Sequence, residues 1–179
     1  MQNEAYQKLV DNLCDIVAEE QAKLGYMKEP IRLYYPLSSL NHFFGGDVSA
    51  DEMQEKLSKF KSFAYDKFGE VEITHKGERF CFFLSERATE YVHQNGGQNQ
   101  FIFDLVALLA KHGTVMEEVE ALFAKQKDAY EIEKMNHGEF DYMIHFVNSK
   151  DKYLYCFKDE GCHIIYHRFL PEDYEDLGL

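Results

Sequence analysis

The 179-residue chain has only four cysteines, and Cys14, Cys81, Cys156 and Cys162 stand far apart with no C-x-x-C among them. That spacing excludes a disulfide framework and predicts reduced, mostly buried thiols. Positive charge is also scarce: 19 Lys and Arg against 32 Asp and Glu leave a formal charge of -13 and a pI near 5.0. A chain so acidic has no strong generic affinity for nucleic acid, which requires lysine and arginine against phosphates. Long apolar runs are missing too. The most apolar segment, FIFDLVALLA at 101–110, is too short to span a bilayer and contains Asp104. No charged segment followed by an apolar run opens the chain, so the expected compartment is the cytoplasm and no membrane partner is expected. A phosphate cradle is also lacking, because NGGQNQ at 95–100 has glycines but neither a preceding strand nor a lysine.

What is present suits an ordinary globular protein. With 45% apolar and 15% aromatic residues, the chain can fill a core without disulfides or metals, as one domain or two small ones. Residues 4–24 carry Tyr6, Leu9, Val10, Leu13, Val17 and Leu24 near helical spacing, which predicts an amphipathic helix ended by Gly25. IRLYY at 31–35, between Pro30 and Pro36, predicts a short edge strand, and 37–44 a short helix closed by Gly45-Gly46. Ser49 and Glu52 form a capping box for a helix whose buried stripe is Met53, Leu57, Phe60, Ala64 and Phe68. In EVEITHKGERFCFFL, a two-residue turn at Lys76-Gly77 would pair Ile73 with Phe80 and Val71 with Phe82. The same turn puts Glu72, Thr74, Arg79 and Cys81 on the opposite face. Ser85 is the expected cap of a helix at 86–95.

This order, helix, short strand, helix, helix, hairpin, helix, resembles the winged-helix superfamily over residues 4–95, with SSLNHFFGGDVSADEMQEKLSKF similar to its helix-turn-helix. The link at 45–48 is longer than in the compact form. The resemblance implies a reading helix at 53–68 and a wing at the hairpin, with Lys56, Lys59, Lys76 and Arg79 as the candidate nucleic-acid contacts. Their surroundings argue against that use. The face of the helix away from its apolar stripe carries Gln54, Glu55, Ser58, Lys59, Ser62, Tyr65 and Asp66, and Glu70, Glu72 and Glu78 surround the wing.

Beyond a boundary expected near 97–98, residues 101–110 are apolar almost all round, as in a helix buried on several sides, and Thr114 with Glu117 reads as a second capping box. The pattern then alternates at 139–147, 153–158 and 163–169, a three-stranded antiparallel meander. The expected class is therefore α+β: a winged-helix-like half at 1–97 and, packed on it, a helix pair with a meander at 98–179, readable as a degenerate second winged helix. A turn at Glu160-Gly161 would pair Phe157 with Ile164, Tyr155 with Tyr166 and Cys156 with Ile165, with Arg168 over the Tyr153 ring. His145, Cys156, His163 and His167 then form a candidate polar sheet face. His163 and His167, four residues apart on a strand, would be separated by roughly 13 Å, too far to share one ion. Cys156 with His145 or His163 makes a nucleophile-base pair without an evident orienting group. His137, Glu139 and Asp141 make a further polar cluster near a turn. No catalytic residue, metal or cofactor is assigned.

YHRFLPEDYED at 166–176, and the texture of the second half, resemble a family of Firmicutes proteins known as a domain of unknown function. That resemblance implies a bacterial setting and brings no catalytic residue or ligand. The leading expectation is a non-enzymatic protein-interaction or regulatory module with a protein partner or a second copy of itself. A transcription regulator using residues 49–85 and a small-molecule enzyme with a site between the halves are the alternatives.

Overall fold

The structure is a computed structural model that describes residues 2–95, 99–136 and 138–176. The chain divides into two compact units, Met1–Asn99 and Gln100–Leu179. The class is α+β, with helices dominating the first unit and an antiparallel sheet dominating the second. No helix of the described residues is long and apolar enough to cross a membrane.

The first unit runs α1 (Gln2–Leu24), β1 (Ile31–Pro36), α2 (Leu37–Phe44), α3 (Ala50–Phe68), β2 (Val71–Lys76), β3 (Arg79–Leu84) and α4 (Glu86–Asn95). Its antiparallel sheet has the order β1-β3-β2. Tyr6, Leu9, Val10, Leu13 and Val17 of α1 meet the apolar stripe of α3 and Phe80, Phe82 and Leu84 of β3 in one core. Leu24, by contrast, is exposed, because the chain leaves the helix at Gly25 with φ +82°.

The predicted box caps α3: the Glu52 amide donates to Ser49 Oγ at 3.4 Å and the Ser49 amide to Glu52 Oε2 at 3.0 Å. The preceding link is long but closed. Buried Asn41 accepts from the Val48 amide through Oδ1 at 3.1 Å and donates through Nδ2 to the Val48 carbonyl at 3.3 Å. Ser85 departs from expectation, since its hydroxyl donates to the Phe68 carbonyl at 3.0 Å and ties the start of α4 to the end of α3.

The hairpin register also differs from the predicted one. Lys76 pairs with Arg79, Ile73 with Phe82 and Val71 with Leu84, so the two-residue turn is Gly77-Glu78. Gly77, with φ +59° at the first turn position, has the sign that a type II′ turn demands there. Two further forces select this register. Glu78 accepts from the Leu37 amide at 2.7 Å, and the pairing adds Leu84 to the buried face beside Val71, Ile73, Phe80 and Phe82.

The second unit runs α5 (Gln100–Leu109), α6 (Met116–Ala124), β4 (Tyr130–Lys134), β5 (Tyr142–Phe146), β6 (Leu154–Asp159), β7 (Ile164–Phe169) and α7 (Pro171–Asp176). The sheet has four strands in sequential order, where the sequence pattern indicated three. The unforeseen strand is β4, whose Glu131, Glu133 and Lys134 are exposed at the sheet edge. Charge is what keeps such an edge from pairing with another chain, and it also masks the strand signal.

Phe123 centres the core, with ring centroids 4.8 Å from Phe101, 5.1 Å from Phe146 and 5.3 Å from Tyr155. α5 is buried through Phe101, Ile102 and Leu105, while Asp104 and Ala107 are exposed, so its burial is one-sided despite its apolar composition. The second cap is displaced by one residue. Glu118 Oε2 accepts from the Val115 amide at 3.1 Å, and the Thr114 hydroxyl turns back to the carbonyls of Leu108 at 2.8 Å and Lys111 at 3.1 Å. Valine has no side-chain acceptor, so half of the reciprocal box is missing.

Candidate functional site

Three surfaces carry chemistry-bearing side chains. On α3 and the hairpin, Lys59, Lys76 and Arg79 are exposed, and two of the four predicted nucleic-acid residues lie over aromatic rings. Lys56 is half-buried with Nζ 5.9 Å from the Phe44 ring centroid, and Arg79 lies 4.8 Å over Tyr34. The exposed positions of α3 include Asp51, Glu52, Glu55, Ser58, Lys59, Ser62, Tyr65 and Asp66, a set with more negative than positive charge. Gln54 faces the sheet and donates to the Ile73 carbonyl at 3.1 Å.

The sequence placed part of the second surface, since the expected hairpin puts Glu72, Thr74, Arg79 and Cys81 on one face, but it did not bring β1 onto that face. β1 and β3 each bury alternate residues, and the alternate set forms the outer face of the sheet. There Arg32 pairs with Phe83, and Tyr34 with Cys81, across β1 and β3. The Arg32 guanidinium lies 4.9 Å from the Phe83 ring, parallel in kind to Arg79 over Tyr34. Arg32, Glu72, Thr74, Cys81 and Phe83 line a shallow depression of about 310 Å³. Tyr34 is 54% exposed. The signal that could have found this face is the polar-aromatic phase of IRLYYP, read together with that of RFCFFL once the two strands are known to pair.

The third surface is the face of the second sheet that carries His145, Cys156 and His167. β5 and β6 pair Met143 with Cys156, and β6 and β7 pair Cys156 with His167. The register between β6 and β7 is two residues from the predicted one: Phe157 faces Tyr166 and Tyr155 faces Arg168. Arg168 does lie over the Tyr153 ring, 4.0 Å from its centroid. Cys156 is fully buried, and burial pushes its thiol up to about 11, so it is not part of an accessible polar face. The rings of Phe140, His167, Phe169 and Tyr174 form a chain with successive centroids 5.7, 6.0 and 5.9 Å apart on this side. His145 reaches Glu131 at 3.5 Å.

His163 is separated from that set. It leaves the strand and sits in the β6–β7 turn, with Nδ1 3.1 Å from Cys162 Sγ and Nε2 3.3 Å from Glu160 Oε2. The orienting group that Cys156 lacked is thus present at a different cysteine. Of the remaining cluster, His137 lies outside the described residues, and Asp141 accepts from the Asp159 amide at 2.8 Å. Among the described residues no three His, Cys, Asp or Glu side chains are grouped to hold a metal ion.

Deep in the second unit, Tyr155 is fully buried and its hydroxyl donates to Asp151 Oδ2 at 2.6 Å. Burial, with the Asp151 charge second, pushes that hydroxyl far above the usual phenol range, so it remains a neutral donor. Asp151 also accepts from the Tyr153 amide at 3.0 Å and joins Ser149 and Asp128 in the loop network. These groups hold the core and the β5–β6 loop together.

No curated protein and no solved structure matches the chain. A family model described as "Domain of unknown function, E. rectale Gene description (DUF3877)" matches residues 6–178. That match reaches across both units and leaves out only a few terminal residues, so the chain belongs to this family.

Proposed function

We propose that the chain is a non-enzymatic protein-interaction module of the bacterial cytoplasm, and that the outer face of the β1-β3-β2 sheet is its contact surface. The single observation that carries this reading is the pair of guanidinium-aromatic stacks, Arg32 with Phe83 and Arg79 with Tyr34, on an open sheet face. Aromatic rings offer contact area at low entropic cost, and arginine adds a planar donor fork; both are enriched where protein interfaces concentrate their energy. A guanidinium over a ring can still donate from its N–H edges, which suits a polypeptide that presents a carboxylate beside an apolar side chain. Four free thiols fit a reducing compartment.

The element order and the sheet order β1-β3-β2 also support a winged-helix reading of the first unit. Docking of α3 into DNA has less support, because its exposed positions are mostly neutral or acidic.

The test uses the full chain as bait in a lysate, alongside the Tyr34→Ala/Phe83→Ala pair and Lys59→Ala, with captured proteins quantified by mass spectrometry. Capture retained by Lys59→Ala and lost from the double variant, with circular dichroism unchanged, is the expected result. Identical capture by the double variant would overturn the assigned surface. An enriched duplex from a random-sequence selection at low salt, abolished by changing Lys59, Lys76 and Arg79 together, would overturn the reading in favour of DNA.

A further inference from the structure

The β6–β7 turn comprises Glu160, Gly161, Cys162 and His163, and its backbone is held from several directions. The Glu160 amide donates to the His163 carbonyl at 3.0 Å, and the Gly161 amide to Asp159 Oδ1 at 2.8 Å. The Cys162 carbonyl accepts from the Gly113 amide at 3.1 Å, which pins the turn to the segment between α5 and α6. Adjacent residues in a regular strand point to opposite faces. Here Gly161, at φ +83°, lets the chain reverse, and the side chains of Cys162 and His163 converge.

The result is a line of three groups: thiol, imidazole, carboxylate. Sγ of Cys162 lies 3.1 Å from Nδ1 of His163, whose other nitrogen lies 3.3 Å from Glu160 Oε2. A carboxylate at Nε2 selects the tautomer that carries its proton there and leaves Nδ1 free to accept from sulfur. This is the arrangement that activates a nucleophile: thiol and base within reach, and the base oriented by a third group.

Access distinguishes this thiol from the rest. Cys162 is exposed, with His163 and Glu160 partly exposed beside it. Cys14 and Cys156 are held by burial at about 11, and Cys81 lies half-buried in the sheet depression. Reactivity follows exposure and a neighbouring base.

We propose that Cys162 is a reactive thiol that forms mixed disulfides with low-molecular-weight disulfides, with His163 as its base and Glu160 as the positioning residue. In the step, the Cys162 proton passes to His163 Nδ1 while Nε2–H donates to the Glu160 carboxylate. Sγ attacks one sulfur of R–S–S–R; the new S–S bond forms as the old one breaks. The departing thiolate leaves as R–SH after taking the proton from His163. Cys162 is oxidised and one sulfur of the small disulfide is reduced, so the step needs no further oxidant. Attack by a second small thiol reverses it. The site belongs to the second unit and the proposed contact surface to the first, and each can fail without the other.

The test is the rate of reaction of the native full chain with glutathione disulfide and with 5,5′-dithiobis(2-nitrobenzoate), with peptide mapping of the modified residue. The expected result is a fast reaction at Cys162, faster than the same thiol shows in the urea-unfolded chain, lost in Cys162→Ser and kept in Cys81→Ser. His163→Gln should slow it about tenfold and Glu160→Gln by roughly threefold. These residues are exposed, so circular dichroism should stay unchanged. A fast reaction that persists in Cys162→Ser, a wild-type rate in His163→Gln, or no advantage of the native over the unfolded chain would each overturn the proposal.

Discussion

The two units use their sheets in opposite ways. In the first, the central strand β3 buries Phe80, Phe82 and Leu84 and leaves Cys81 and Phe83 half-exposed, so one face is core and the other is surface. In the second, the interior strand β6 buries Tyr155, Cys156 and Phe157 in succession, so both faces are covered at its centre. A sheet covered once offers a broad platform to a partner. A sheet covered twice has its accessible chemistry at its edges and turns, which is where Cys162, His163 and Glu160 lie.

The largest expected effect compares a ring buried in the second core, Phe123 on α6, with a ring on the outer face of the first sheet, Phe83 on β3. Phe123→Ala removes the ring at the centre of the second core and should cost about 3–5 kcal/mol, whereas Phe83→Ala on the open face of the first sheet should cost about 1 kcal/mol or less. Urea unfolding followed by circular dichroism measures both, and equal costs would break the comparison.

A smaller effect contrasts the two helix caps. Ser49→Ala should destabilise the first unit by about 1 kcal/mol by removing the side-chain acceptor of a complete box. Val115→Ser should do the reverse in the second unit, gaining roughly 0.5 kcal/mol, since the Glu118 half of the box already exists and Val115 is exposed. Loss of stability in Val115→Ser would show that the valine is needed where it stands.

The smallest effect concerns pH. Hydrogen bonds from the Ser49 amide and then its hydroxyl hold the Glu52 carboxyl below its ordinary value of 4.5. A carboxyl lowered on folding contributes stability that is fully present above 4.5 and is lost as pH falls through the folded value. The gap in Tm between the wild-type chain and Glu52→Gln should therefore be constant above pH 4.5 and shrink on further acidification. A gap that widens on acidification would contradict the sign.

Much of this organisation was legible in the residues. The stripe of α3, its Ser49–Glu52 cap, the limits of α2 and α4, and the packed face of the hairpin all follow from local spacing. Both hairpin registers were nonetheless off by two residues. A shift of two leaves every side chain on the same face, so apolar alternation cannot detect it; the turn glycines and the bonds to Glu78 and His163 decide it. Two of the three expected hydroxyl caps failed for a related reason, while that of Ser49 formed. Ser85 and Thr114 each found a carbonyl supplied by the preceding helix.

The candidate sites were less legible. Lys56 and Arg79 look like free cations in sequence, and in the fold each lies over an aromatic ring, Arg79 while staying exposed. Cys156 alternates with core residues and reads as outward-facing, yet Phe140 and the α7 end of the chain belong to the layer on its side of the sheet. Nothing in D-E-G-C-H announces that a cysteine and its neighbouring histidine will share one side.

Local period and composition were enough to place most helices and strands, most of the core and the acidity of the surface, but not the charged edge strand β4 or the burial of Cys156. Tertiary structure alone decided the registers, the two-sided burial of β6, the arginine-aromatic face and the meeting of Cys162, His163 and Glu160. Each of those depends on a backbone reversal or a partner strand that supplies a hydrogen bond or a ring from a distant part of the chain, and no local pattern encodes where that partner will stand.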